Sequence, residues 1–125
     1  ELREGLNIDI KDVTIDELRK AADVLHKKQG IDIVFVTLSE KGAYICDYRT
    51  AEPRQVHVPA HLRSISDVSG AGDTVISVAT LCLALGLDIE NIIKYSNLAG
   101  GIVCESVGVV PIERNRFYSE LEMYN

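Results

Sequence analysis

Asp67-Val68-Ser69-Gly70-Ala71-Gly72-Asp73, followed at once by an uncharged stretch from Thr74 to Leu87, constrains this chain more than any other segment. Glycines on either side of an alanine allow a tight turn whose backbone amides are nearly bare. The apolar run behind them predicts a buried helix reaching Leu85, with Gly86 closing it. A helix N-terminus adds positive dipole to those amides, and a carboxylate, Asp73, sits at its mouth. An anion cradle and a base therefore stand side by side, the pairing that phosphoryl transfer to a hydroxyl requires. The plainer reading makes Asp73 an N-cap or first-turn acid that only stabilises the helix. A helix otherwise free of charge, and further oxygens on Asp67 and Ser69, favour the site over the cap.

Other phosphate and nucleophile motifs fail here. A dinucleotide fingerprint needs a third glycine where Val75 stands, and the Walker pattern is absent. Ser69 is not a nucleophile elbow, because Asp67 occupies the place of the first glycine.

The flanking pattern is that of an α/β protein. Thr14-Ile15-Asp16-Glu17 reads as a capping box, and Ile15, Leu18, Ala22 and Leu25 fall on one helical face. Asp16/Lys20 and Asp23/Lys27 are spaced for ion pairs on the outer face, and Gly30 stops the helix. Ile31 to Leu38 is almost continuously β-branched or aromatic, which predicts a strand buried on both faces and a partly parallel sheet. Ala43–Asp47 and Arg54–Val58 read as a hairpin on the sheet edge. Asp88 caps a further helix from Ile89 to about Glu105, Val107 to Pro111 is extended, and Arg114 to Glu122 forms a short terminal helix.

With 125 residues and 46% hydrophobic residues the chain fits one globular domain. A net charge of −6 argues against nucleic acid or an anionic membrane as the main partner. It also means that backbone dipoles or a metal, rather than a Lys/Arg cluster, must hold any phosphate. Cys46, Cys82 and Cys104 are far apart in apolar surroundings and read as buried free thiols of a reducing compartment. The run from Val75 to Leu87 is too short to cross a bilayer and the N-terminus has no signal-peptide pattern, so a cytoplasmic location is expected. The opening Glu1-Leu2-Arg3-Glu4-Gly5, without an initiator Met, reads as cut from a longer polypeptide. His26, His57 and His61 lack metal-ligand spacing, and the tyrosines form no stacking platform.

Two more segments are candidate sites. Thr37, Leu38, Ser39, Glu40, Lys41 and Gly42 form a turn at the C-terminal end of the predicted strand, where open α/β sheets bind ligands. In Asn97-Leu98-Ala99-Gly100-Gly101, consecutive glycines cost the helix roughly 2 kcal/mol relative to alanine. Either a neighbouring helix or a flat ring such as adenine packs against that face.

Asp67-Val68-Ser69-Gly70-Ala71-Gly72-Asp73-Thr74 resembles the C-terminal signature of the ribokinase-like (PfkB) carbohydrate kinases. Thr37 to Gly42 resembles that family's nucleotide-contacting turn, usually Thr-x-Gly-x-x-Gly, with Ser39 in place of the middle glycine. Asn97 matches the family's Asn near the nucleotide base, and all three segments occur in the family's order. The resemblance implies the C-terminal, nucleotide-binding portion of a ribokinase-like fold over residues 1–125, with a mostly parallel sheet flanked by helices. It implies Asp73 as catalytic base, the Gly70, Ala71 and Gly72 amides as anion hole, and ATP held by Thr37 to Gly42 and Asn97 with Mg²⁺ on its phosphates. Asp67 and Ser69, with the carbonyls of Val103, Ser106 and Gly108, match a monovalent-cation site of some members. Glu1 matches the end of an Asn-x-x-Glu motif. Within the family the similarity is greatest to the D-glycero-β-D-manno-heptose-7-phosphate kinases, implying a sugar or sugar-phosphate substrate. A homodimer is also expected. A nucleoside or other small-alcohol kinase of the same fold remains open, as does a non-catalytic nucleotide-binding or dimerisation module for the isolated chain.

Overall fold

The computed structural model describes residues 14–60 and 68–124, so the expectations placed on Glu1, His61 and Asp67 lie outside the described residues. Helix α1 (Ile15–Gln29) starts where the Thr14 hydroxyl accepts the Glu17 amide at 3.2 Å. It ends on Gly30, left-handed at φ 67°, whose N–H donates to the His26 carbonyl. The outer-face pairs differ from those expected. Lys20 reaches Glu17 at 3.5 Å, and Asp23 pairs with Arg19 at 3.3 Å instead of Lys27. Asp23 also accepts the Tyr48 hydroxyl at 2.5 Å, which draws its carboxylate toward the sheet and away from Lys27.

Strands β1 (Ile33–Thr37), β2 (Ala43–Asp47) and β3 (Arg54–Val58) form a sheet in the order β1-β2-β3, antiparallel throughout. The expected parallel pairing is therefore absent among the described strands, although the α/β class holds. The reason is the connections: a single turn joins β1 to β2, and Tyr48 to Pro53 joins β2 to β3, both too short for a crossover. Burial is also redistributed. All five residues of β2 are buried, whereas only Val34 is buried in β1. In the expected edge hairpin, β3 is at the edge of the described sheet and β2 is its central strand.

Alternation along the strands separates two cores. Val34, Val36, Tyr44 and Cys46 face α1, where they meet Leu18 and Ala22. Ile33, Phe35, Ala43, Ile45, Val56 and Val58 face the opposite layer, formed by α2 (Ala71–Ala84) and α3 (Ile89–Val103). Side chains such as Ile45 and Ile93, both 0% exposed, each contribute about 2 kcal/mol by burial. Asp88 caps α3 by accepting the Asn91 amide at 2.8 Å.

Helix α2 is less buried than its composition predicts. Val75, Ala79 and Cys82 are buried, but Ile76 and Leu81 are 54% and 60% exposed, because only one face meets α3 and the sheet among the described residues. After Val103, bonds from the Glu105 and Ser106 amides to the Ile102 and Val103 carbonyls tighten the last turn. The chain then runs through bends as far as Val109, in place of the extended stretch expected there, before α4 (Arg114–Tyr124). Cys46 and Cys82 are buried and Cys104 is half-buried; no disulfide forms among the described residues, and burial pushes the Cys82 thiol up.

Candidate active site

The turn after β1 is built by the backbone itself. Leu38 N–H donates to the Gly42 carbonyl at 2.8 Å, while the Lys41 and Gly42 amides donate back to Leu38 and Ser39 at 3.0 and 3.1 Å. Ser39 adopts φ 53°, and no other non-glycine among the described residues has a positive φ. A serine thus occupies the left-handed conformation that glycine adopts freely. Gly42, at φ 94°, has no such latitude: a Cβ there would lie 1.9 Å from the Val58 carbonyl oxygen. The end of β3 therefore passes directly over this turn. His57 secures it by donating from Nε2 to the Lys41 carbonyl at 3.0 Å.

At the start of α2, Gly70 is left-handed at φ 75° and no side chain caps the helix. The Ala71 amide donates to the Val68 carbonyl at 3.2 Å, and the Thr74 amide to the Gly70 carbonyl at 3.1 Å. Among the described residues, the Gly70, Gly72 and Asp73 amides meet no acceptor. A Cβ added at Gly72 would touch no atom within 4 Å, so its backbone faces open space. Unpaired N–H groups at the positive end of a 14-residue helix form a place for an anion.

On α3, the glycine pair divides its duties. A Cβ at Gly100 would come within 2.6 Å of Val75 Cγ2, so this glycine is where α3 packs closely on α2. Gly101 is half-buried and lines the cleft. Asn97 donates from Nδ2 to the Pro59 carbonyl at 2.8 Å, holding the chain just beyond β3.

These segments, far apart in sequence, converge on one cleft of about 490 Å³, a size suited to a small-molecule ligand. Thr37, Ser39 and Gly42 line one side; Val68, Ala71, Gly72 and Val75 another; Asn97, Gly100, Gly101 and Cys104 a third. No lysine or arginine lines it among the described residues, where amides and the helix dipole supply positive potential. Leu38 turns into the core on the α1 side, Lys41 is exposed, and Glu40 contributes backbone to the turn.

Asp73 is exposed on the first turn of α2, beside Gly72 and outside the cleft lining. Among the described residues no ion pair or side-chain hydrogen bond engages its carboxylate. Ser69 is also exposed. Among the described residues no three His, Cys, Asp or Glu gather at metal-ligand distance.

Several contributors were not legible in the sequence. Val75, read as one more apolar helix residue, fixes the α2–α3 approach at Gly100, and Cys104 lines the cleft. Val109 lies over Gly70, its Cγ1 2.9 Å from where a Cβ would be. Only the small residues opposite these side chains gave a signal.

The pfkB family carbohydrate kinase model matches residues 1–115. The bifunctional protein HldE of Methylobacillus flagellatus is 39% identical over 105 residues, covering 84% of this chain and 21% of the relative. Its counterpart in Shewanella baltica is 36% identical over 110 residues, covering 88% and 22%. The chain thus spans about a fifth of the length of these curated relatives. Phosphofructokinase-2 from Escherichia coli, solved in complex with potassium, superposes with a TM-score of 0.81 at 23% identity, over 98% of this chain and 38% of that one. Arabidopsis thaliana ribokinase, complexed with ribose and ATP, gives 0.78 at 21% identity, over 97% and 38%. At these identities the structures establish the ribokinase-like fold, and the match over residues 1–115 establishes that the chain belongs to the pfkB family of carbohydrate kinases.

Proposed function

We propose that the protein carrying this chain is an ATP-dependent kinase of a sugar or sugar-phosphate hydroxyl, and that residues 1–125 supply its nucleotide-binding portion and its base. A heptose 7-phosphate is the acceptor implied by the sequence resemblance and by similarity to proteins named HldE. The observation that carries the reading is the convergence of the β1 turn, the α2 N-terminus and the glycine face of α3 on one cleft, with the Asp73 carboxylate, unengaged among the described residues, next in the chain to the lining residue Gly72.

In this reading Thr37, Ser39 and Gly42 hold the nucleotide phosphates and Asn97 stands near the base. The Gly70 and Gly72 amides stabilise the transferring phosphoryl group, and that of Ala71 would join them by leaving its bond to the Val68 carbonyl. Asp73 takes the proton of the acceptor hydroxyl. That oxygen bonds to the γ-phosphorus, the bond to the β-phosphate oxygen breaks, and ADP leaves. Catalysis is then mainly positioning and electrostatics.

The residues fit an anionic ligand, as the open backbone at Gly72 and the unpaired amides indicate. Mg²⁺ would neutralise phosphate charge when bound. Among the described residues no cluster of three His, Cys, Asp or Glu is placed to hold it, and the ion would come with the nucleotide phosphates. A monovalent cation would use Ser69, Asp67 and the carbonyls of Val103, Ser106 and Gly108. The Val103 carbonyl already accepts the Ser106 amide at 3.2 Å and has one lone pair to offer.

The test is Asp73→Asn in the full-length protein, assayed by ADP release on a panel of sugars, sugar phosphates and nucleosides. Turnover is expected to fall roughly 10³-fold, with ATP affinity by calorimetry within about twofold. Retained turnover removes Asp73 from its role. ATP binding with no acceptor phosphorylated by the wild type supports a nucleotide-binding module instead.

A further inference from the structure

Arg116 on α4 donates through Nη2 to Glu105, in the turn that ends α3, and through Nε to Glu120 at 3.2 Å. Both acceptors are well shielded, with side chains 19% and 11% exposed. A planar guanidinium engaged by two carboxylates has little freedom left. Arg116 therefore fixes α4 against the start of the segment that runs from Glu105 to Val109.

The other end of that segment bears on the anion cradle. Val109 is 77% exposed, so core packing does not explain its place. Its Cγ1 nonetheless lies 2.9 Å from where a Cβ of Gly70 would be. Gly70 is the N-cap of α2, left-handed and without a side-chain cap, so the isopropyl group of Val109 walls a turn held otherwise by the backbone bonds of Ala71 to Val68 and of Thr74 to Gly70.

We propose that Val109 and Arg116 are positioning residues for the phosphoryl cradle. Arg116 clamps the Glu105–Val109 segment, and Val109 braces Gly70 so that the Gly70 and Gly72 amides keep their aim. The catalytic consequence rests on the kinase reading; the mechanical link does not.

The experiment uses the full-length protein with Val109→Ala, Arg116→Met and Arg116→Lys. Hydrogen exchange followed by mass spectrometry reads the segment 68–76 directly. Val109→Ala and Arg116→Met are expected to speed exchange there roughly tenfold, with β1 and β2 unchanged. In the phosphoryl-transfer assay the same two variants lower kcat roughly tenfold while KM for ATP stays within about twofold. Arg116→Lys, which keeps the charge but not the fork, recovers part of both effects. Unchanged exchange at 68–76 in Val109→Ala overturns the brace, as does a uniform rise across the whole protein in both variants. If the wild type phosphorylates no acceptor, the kinase reading falls and the exchange result still decides the brace.

Discussion

Gly100 on α3 faces Val75 on α2 so closely that a Cβ would come within 2.6 Å of Val75 Cγ2. Val75 lines the cleft and begins the second turn of the helix whose N-terminus carries Gly72 and Asp73. The pair thus sets both the spacing of two helices and the position of the α2 N-terminus.

Gly100→Ala is expected to lower stability by about 1 kcal/mol: overpacking costs about 1–3 kcal/mol, and alanine's helix propensity returns about 1 kcal/mol. Val75→Ala removes the opposing methyl groups, so in the double variant the two costs should not add. Urea unfolding of the four proteins checks this, and strict additivity would refute the contact.

Gly42→Ala should be the most damaging single methyl in the chain. The new Cβ would meet backbone, Val58 O at 1.9 Å and the Pro59 carbonyl carbon at 2.6 Å, at a φ of 94°. Neither atom can rotate away as a side chain would. A loss of about 3 kcal/mol is expected from strain and overlap together, and on the proposed kinase reading ATP affinity falls as the turn moves. Calorimetry and thermal unfolding measure both; near-wild-type behaviour would mean that β3 does not cross this turn.

Ser39 carries the opposite expectation. Its φ of 53° is one that glycine adopts without penalty. Ser39→Gly should leave stability within about 0.5 kcal/mol of wild type, since relieved strain offsets greater chain entropy when unfolded. Ser39→Val places a branched side chain in the left-handed region and should cost about 2 kcal/mol. Equal stability of the two variants by denaturant titration would contradict the assigned backbone.

Asp47, buried at the end of β2, accepts the Arg49 amide and Nε at 2.9 Å and Nη2 at 2.8 Å. Bonding to the Arg49 guanidinium holds its carboxyl below the usual carboxylate range. The resulting stability is fully present above the unfolded-state value of about 4 and is lost as pH falls through the lower folded value. Asp47→Asn should therefore cost about 1 kcal/mol near neutrality, a figure kept small because Arg49 is half-exposed to screening solvent. The gap to wild type should narrow as unfolding is measured at progressively lower pH below about 4; a constant gap would argue against the ion pair.

Much of the architecture was readable because its signals are local. Thr14 and Asp88 accept amides three residues on, Gly30 turns left-handed, and the hairpin strands appear at the expected residues. Strand direction and burial were not readable, since the apolar run around β1 is compatible with either pairing. The partner of Asp23 was not legible in a local window because Tyr48, 25 residues away, also donates to its carboxylate.

The sequence by itself determined which chemistry-bearing residues exist and which short backbone shapes they favour: a glycine turn ahead of an apolar helix, a carboxylate on its first turn, and a helix weakened by adjacent glycines. These follow from φ/ψ freedom, dipoles and periodicity, which act over a few residues. Only the tertiary structure decided that Gly100 of α3 admits Val75, that β3 crosses Gly42, and that Val109 lies on Gly70. Those contacts join residues far apart in the chain, and packing at van der Waals distance is a property of the folded arrangement that no local window contains.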